Sequence, residues 1–389
     1  MVAGQVAIHL GNFAQWTGGV NYLLNMARAI KIHAENWEPA IYSSVALPAH
    51  LDERARSAMP AGRNVELLAS RGRWQTLQSM LGGHDNIVAD CYKKNDVSLV
   101  FEAAGYLGND FPLPVISWLP DFQHRHLPAF FPKTAWIARE LRFRKILATR
   151  RHLLLSSEDA ADDLRRFYPR TRVHVHVVPF AVEQQANVTT ASAEDLRVKY
   201  NLPEHFLFLP NQFWIHKNHE IVIEGLSRLK GQDVVVAMSG NPEDVRVPKL
   251  FQKLQDLITA RGLSQNVRIL GQIPYADVLA LTAAAKALVN PSLFEGWSTT
   301  VEEAKSLGTP MILSDLNVHR EQVPHDAVFF DPQSADACAH ALSHPPERIV
   351  SITDAQRHAE KAFAHYGQRL ETAFSEILAD KNYRPGIGT

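Results

Sequence analysis

The chain has 389 residues, more than the ~100–200 usual for one domain, so two domains are the first expectation. Its 46% hydrophobic and 21% charged residues and a net charge of -1 describe a globular protein with no global pull toward nucleic acid. Two cysteines, Cys91 and Cys338, exclude a disulfide framework and a cysteine-held zinc.

The apolar run ending at Leu10 lacks the basic leader and the length of a signal segment, and no stretch approaches the ~20 apolar residues that span a bilayer. The expectation is a cytoplasmic protein, either free or peripheral on the inner face of the membrane. From there, short apolar runs alternate with stretches of helical period. VAIHL precedes GGVNYLLNMARAIKIH, PVISWLP precedes a long amphipathic segment, and HLLLSS precedes EDAADDLRRFY. The alternation restarts after Pro203 with FLFLP (206–210), VVVAMSG (234–240), VRILG (267–271), ALVNPS (287–292), PMILSD (310–315) and AVFFDP (327–332). This predicts an α/β protein with mostly parallel sheets covered on both faces. HVVPFAV followed by the polar QQANVTTASAED puts the boundary in 180–200, with the linker tip at Thr190 to Glu194. The expected domains are 1–185 and 186–360, with a final helix at about 360–380 packing back on the first.

ALVNPSLFEGWSTTVEEAKSLGTPMILSD (287–315) reads as a buried strand, a turn through Pro291 and Ser292, a tight loop at Glu295-Gly296, a helix from about Thr300, and another strand. Ligands of open α/β sheets bind beyond the carboxyl ends of strands, and a helix start with a glycine before it suits a pyrophosphate. Thr300-x-x-Glu303 or Thr299-x-x-Glu302 is alternatively a capping box that stabilises a helix and nothing more.

Glu295 and Glu303, with seven residues between them and Ala304 and SLGTP after them, resemble the E-x7-E signature of the family-four retaining glycosyltransferases of the GT-B fold. The resemblance implies two Rossmann-like doubly wound domains facing a cleft. It implies Glu295 near the transferred sugar, Glu303 on the ribose hydroxyls, and the amides of Ser298, Thr299 and Thr300 on sugar and phosphate. GGV at Gly18, Gly19 and Val20 resembles the family's N-terminal glycine loop, which faces the donor phosphates and the acceptor. SGNP, with Gly240, and VRILGQIP resemble its second-domain loops, which puts Gln272 and Ile273 at the base.

Two places depart from the family pattern. Where the family has G-R-x4-K-G this chain reads NQFWIHKNH: Lys217 survives to meet phosphate, Gln212 stands at the arginine position and Asn218 at the glycine. His216 or His219 is then a candidate for the missing hydrogen bonding, or a structural histidine. In the first domain Pro120 and Asp121 occupy the positions of the family's His-Asp pair. In PDFQHRH, His124 first and His126 second are candidates for the role of that histidine, beside Asp121. His124-x-His126 and His216-x-x-His219 fit no zinc pattern and D-x-D is absent, so no metal and no cofactor is expected, only a GDP- or UDP-sugar as co-substrate.

Residues 139–152 place Arg139, Arg142, Arg144, Lys145, Arg150 and Arg151 among Leu141, Phe143, Ile146 and Leu147. That is either a helix for an anionic membrane surface or a core helix with a solvated basic side.

The resemblance implies transfer of a hexose or deoxyhexose, GDP-mannose being the first donor to consider, to a glycan or lipid-linked glycan in bacterial lipopolysaccharide or other surface polysaccharide assembly. The acceptor hydroxyl attacks on the face of the leaving phosphate, and no nucleic acid takes part. A nucleotide-sugar epimerase or hydrolase of the same fold and a non-catalytic nucleotide-sugar-binding subunit are the alternatives. A nicotinamide oxidoreductase is disfavoured because no G-x-G-x-x-G follows the first strand.

Overall fold

The structure, a computed structural model, describes residues 4–10, 17–68, 83–103, 105–149, 151–183, 190–229, 231–323 and 327–381. The N-terminal loop at 11–16, linker residues 184–189 and Arg150 lie outside them. The chain divides into two compact units: residues 1–122, 133–183 and 361–389 form one, and 123–132 with 184–360 form the other. The short segment 123–132 thus belongs with the second unit, an assignment with no sign in the hydrophobic pattern.

The first unit holds seven strands, β1 (Gly4–His9), β2 (Trp37–Ser43), β3 (Glu66–Leu67), β4 (Val97–Ala103), β5 (Val115–Trp118), β6 (His152–Leu155) and β7 (His174–Val177). Their order is β3-β2-β1-β4-β5-β6-β7, with every pair parallel. Parallel pairing requires crossovers, and the sequence supplies helices with legible ends. α1 (Thr17–His33) follows β1, α2 (Ala49–Ser57) follows β2, and α3 (Asn86–Lys94) is capped by Asp85, whose side chain accepts from the Val88 N–H. Gly18 and Gly19 lie in the first turn of α1 and not in a loop ahead of it. α4 (Gln123–His126) is a single turn within 123–132, and α5 (Lys133–Ala148) is long. α6 (Glu158–Phe167) begins with Ser157 accepting from the Ala160 N–H, has acids in its first turn, and ends on Arg165 and Arg166, in line with the helix dipole.

The basic run over α5 is largely committed inside its own unit. Arg139 pairs with Asp121, Arg144 with Glu140, and the buried Arg151 with buried Glu102 at 3.3 Å, while Phe143, Ile146 and Leu147 enter the core. Ile137 and Leu141 remain exposed. Among the described residues no helix is long and apolar enough to cross a membrane.

The second unit has six strands, β8 (Leu207–Leu209), β9 (Val236–Ser239), β10 (Val267–Gly271), β11 (Ala287–Asn290), β12 (Met311–Ser314) and β13 (Ala327–Phe330). All are parallel, in the order β10-β9-β8-β11-β12-β13. The helices are α7 (Thr190–Lys199), α8 (His219–Arg228), α9 (Leu250–Ala260), α10 (Tyr275–Ala284), α11 (Thr299–Ser306), α12 (Asn317–Gln322) and α13 (Ala335–Ser343). Thr190 to Glu194, read as a linker tip, is the start of α7. β8, β9, β11 and β12 are buried throughout, which is why they read as unbroken apolar runs.

In its own numbering this sheet runs 3-2-1-4-5-6, so the direction of winding reverses between β8 and β11. Crossover helices leave the sheet on opposite faces there, and the crevice at the carboxyl ends of those two strands is where such a sheet binds ligands.

The last helix, α14 (Ile352–Ala379), has residues in both units. In the first unit its Glu371 accepts from the N–H groups of Glu35 and Asn36, each at 3.1 Å, and Phe374 meets Trp37 edge-on. Gly367 permits the closest approach: a Cβ there would stand 2.6 Å from the Ala29 carbonyl oxygen and from His33 Cβ. Gly367→Ala must therefore push α14 off α1. We expect a loss of about 1–3 kcal/mol in urea unfolding despite the better helix propensity of alanine.

Candidate active site

At the winding reversal, the loop after β8 and the loop after β11 are brought side by side by the pairing of Leu207 with Ala287 and Phe208 with Leu288. Asn290, the fully buried last residue of β11, joins them. Its Oδ1 accepts from Asn211 Nδ2 at 3.2 Å and lies 2.7 Å from Ser292 Oγ. Its Nδ2 donates to Ser298 Oγ at 2.9 Å and, at longer range, to Glu295. A backbone bond from the Leu293 N–H to the His216 carbonyl at 2.8 Å completes the seam.

Glu295 and Lys217 meet at this seam. Lys217 Nζ lies 2.6 Å from Glu295 Oε1, with side chains only 13% and 9% exposed. Ser292 Oγ reaches the same oxygen at 2.7 Å. Oε2 takes no hydrogen bond among the described residues, which leaves one oxygen of a fixed carboxylate for a ligand. Burial, the largest single influence, works to raise the Glu295 pKa, but Lys217, by charge and hydrogen bond, together with His319 and His216 outweighs it and brings the group to about 2.

Glu303 lies on α11, buried, and its Oε1 accepts from Tyr275 Oη at 2.8 Å. The capping-box alternative does not hold. The N-cap is Ser298, it makes no side-chain cap, and Glu303 is the fifth residue of the helix. The structural carboxylate is Glu302, which accepts from Gln322 Nε2 and Lys305 Nζ, each at 2.9 Å. Tyr275 opens α10 one residue after Gln272 and Ile273, with Pro274 between as the N-cap, so the loop expected at the base is tied to the carboxylate expected at the ribose. Gln272 is exposed there, and Ile273 packs against the Phe206 cluster.

One expected backbone donor is already used. The Ser298 N–H gives its hydrogen to Gln322 Oε1 at 3.1 Å, and Gln322 Nε2 returns one to the Ser298 carbonyl at 2.8 Å. Thr299 and Thr300, the first two residues of α11, keep the N–H groups that precede a helix's first internal bond.

Gln212 holds the neighbouring loop: its Oε1 accepts from the Asn241 N–H at 2.8 Å. Gly240 beside it has a φ of 151°, and a Cβ there would lie 2.3 Å from the Asn211 carbonyl oxygen, so only glycine lets these loops touch. Asn218 is left-handed (φ 55°), which asparagine tolerates, and its Nδ2 bonds the Pro291 and Pro332 carbonyls. That accounts for its standing in place of a glycine.

His216 and His219 are both buried, and burial, before any charge, lowers each to about 3, so both are neutral. His219 stacks on Phe213 at 4.4 Å and is a core residue. His124 is completely buried beside Phe131, whereas His126 is exposed and its ring stands 5.0 Å from that of Phe294, next to Glu295. The structure thus sets His126, second in the sequence reading, beside the Glu295 loop. Asp121 is held by Arg139 in the first unit, as are Gly18 and Gly19 in α1. Among the described residues no group of three His, Cys, Asp or Glu side chains is placed to hold a metal ion.

Residues 193–344, which contain all of the β8 and β11 loops, match the family model of glycosyl transferases group 1. The segment is a group 1 glycosyltransferase domain. The O-antigen chain mannosyltransferase RfbU of Salmonella typhimurium is 23% identical over 205 residues, which are 50% of this chain and 55% of that one. The chain therefore spans about half the length of that curated relative. Among solved structures, a glycosyltransferase from Rickettsia africae superposes with a TM-score of 0.68 at 16% identity, covering 98% of this chain and all of the other. Anabaena Alr3699/HepE in complex with UDP-glucose gives 0.64 at 17% identity, covering 97% and 98%. The fold is GT-B: two parallel-sheet Rossmann-like domains.

Within the glycosyltransferase domain, four contributors carry no sequence motif: Asn290, Gln322, Tyr275 and His319. His319 is fully buried on α12. Its Nδ1 donates to the Ser314 carbonyl at 2.9 Å, and the Glu295 charge offsets part of the lowering of its pKa by burial. Only a carboxamide, a phenol or an imidazole at an otherwise apolar strand end or helix face hints at them.

Two outcomes follow. Lys217→Met leaves the Glu295 carboxylate buried and unpaired and is expected to cost about 3 kcal/mol in denaturant unfolding. The Lys217→Met/Glu295→Gln double variant should regain most of it, where simple additivity would mean that the pair is not coupled. His216 and His219 are neutral when folded down to about pH 3 but protonate near 6.5 when unfolded, so their contribution is complete above 6.5 and is lost as pH falls toward 3. His219→Phe should flatten the fall in melting temperature across that window; an unchanged slope would contradict burial of a neutral ring.

Proposed function

We propose that the protein is a retaining, metal-independent glycosyltransferase that moves a hexose or deoxyhexose from a nucleotide diphosphate sugar to a glycan or lipid-linked glycan. GDP-mannose is the first donor to test, and bacterial surface polysaccharide assembly is the proposed setting. The observation that carries the reading is the Lys217–Glu295 pair at the winding reversal, with Glu295 Oε2 open and the start of α11 beside it. The choice of mannose leans on the O-antigen chain mannosyltransferase among the relatives.

In this reading Lys217 and the N–H groups of Thr299 and Thr300 take the diphosphate, whose negative charge grows as it leaves. Glu303, held by Tyr275, receives the ribose hydroxyls, and Gln272 and Ile273 border the base. Glu295 Oε2 orients a sugar hydroxyl and stabilises the positive charge developing at the anomeric carbon. The bond from that carbon to the phosphate oxygen breaks as the acceptor oxygen bonds on the same face. The acceptor's proton passes to the departing phosphate, and the products are the glycosylated acceptor and a nucleoside diphosphate. His126 contacts the sugar from 123–132.

A panel of GDP- and UDP-sugars tested by thermal shift checks the donor, since a ligand of the folded state stabilises it by about RT ln(1 + [L]/Kd) and so raises the melting temperature. GDP-mannose is expected to stabilise the wild type. Glu295→Gln should keep that shift and lose at least a hundredfold in transfer. No shift with any nucleotide sugar, or full transfer by Glu295→Gln, would sink the reading. Product analysis with donor alone separates a transferase from an epimerase or hydrolase.

A further inference from the structure

The donor reading leaves a diphosphate short of one partner. Lys217 is shared with Glu295, and Gln212, at the position where the resembling family has arginine, gives its oxygen to the Asn241 N–H. A guanidinium reaches the same loop from elsewhere. Arg246, in the loop after β9, grips Asp244 through Nε and Nη2 at 3.0 and 3.2 Å, and Asp244 in turn accepts from the Ile215 N–H at 2.9 Å. Arg246 Nη1 reaches Gln123 Oε1 at 3.4 Å, and the guanidinium lies 5.8 Å from the ring centres of both Phe131 and Trp214. Its remaining contact is Nη2 to His216 Nδ1, at 3.2 Å.

That contact determines a tautomer. A guanidinium can only donate, so His216 Nδ1 must accept, and a neutral ring then carries its proton on Nε2. The ring is neutral because it is 6% exposed and faces the positive charges of Lys217 and Arg246, which together with burial outweigh the opposing pull of Glu295 and Asp244. Nε2 has no hydrogen-bond partner among the described residues. His216 adjoins Lys217, and its carbonyl is bonded to the Leu293 N–H of the Glu295 loop. An N–H donor is therefore held next to Lys217 and the Glu295 loop, where the leaving group of the donor is expected.

We propose that Arg246 is a positioning residue for donor recognition: it locks His216 in the neutral Nε2–H form and so presents that N–H to a phosphate oxygen of the nucleoside diphosphate. The proposal rests on the nucleotide-sugar reading. It replaces the absent arginine by a neutral donor whose hydrogen-bonding sense does not change across neutral pH, with Asp244 absorbing the guanidinium's charge.

The test is nitrogen NMR of the full chain labelled with 15N-histidine, with His216→Gln assigning the ring, and GDP and UDP as probes. The wild-type ring is expected to be protonated at Nε2 alone across neutral pH, with that N–H shifting when the nucleotide binds. Arg246→Ala should give mixed tautomers or a titrating ring, and nucleotide binding by calorimetry should weaken about tenfold, the scale of one lost hydrogen bond. Arg246→Lys, which keeps one donor, should restore part of both and decides the matter together with the wild-type spectrum if Arg246→Ala fails to fold. A wild-type ring protonated at Nδ1, a tautomer indifferent to Arg246→Ala, or a ring that ignores bound nucleotide would overturn the proposal. If the ring is locked as expected but neither GDP nor UDP binds, the nucleotide-sugar reading fails and the phosphate role fails with it, while the lock itself stands.

Discussion

A carboxylate that is nine-tenths buried cannot stay ionised unless a positive charge meets it, and in this chain the positive charge that meets Glu295 is Lys217. The two lie far apart in sequence, on loops that follow different strands. Everything around them serves to keep those loops in register. Asn290 binds one to the other, Ser292 shares the occupied oxygen of Glu295, Asn218 turns the backbone left-handed after Lys217, and Gln322 clamps both backbone polar groups of Ser298. If Lys217 moves, the carboxylate loses its partner in a place where water cannot replace it.

The constraint is met by topology before side chains matter. A parallel sheet ordered 3-2-1-4-5-6 leaves a crevice where its first and fourth strands adjoin, and β8 and β11 are those strands. The N-terminus of α11 points its unpaired N–H groups at the same end of the sheet. A pre-formed ion pair, a helix start and one uncommitted carboxylate oxygen are then available together, with little reorganisation left for a bound ligand to drive.

Much of this was legible in the residues. Buried parallel strands announce themselves as apolar runs, and the spacing of Glu295 and Glu303 marked the loop and helix. The partners were less legible, because a hydrogen bond between elements depends on register across the sheet and not on local spacing. Ser298 looked like a backbone donor for a ligand until Gln322, 24 residues on, took its N–H. Glu303 looked like a cap because position alone cannot tell the third residue of a helix from the fifth. Asn218 looked like a loss of glycine, yet it occupies a left-handed position that asparagine tolerates. The segment 123–132 carries no break in hydrophobic period at either end, and its membership of the second unit shows only in contacts such as His126 with Phe294.

The central claim is that a nucleoside diphosphate binds at the reversal between β8 and β11, against Lys217 and the start of α11. Hydrogen–deuterium exchange of the full chain with and without saturating GDP or UDP addresses it directly. The account predicts new protection concentrated in the peptides covering 211–219 and 291–303, with the β6 and β7 peptides unchanged. Protection that spares both loops while the nucleotide is demonstrably bound would contradict it.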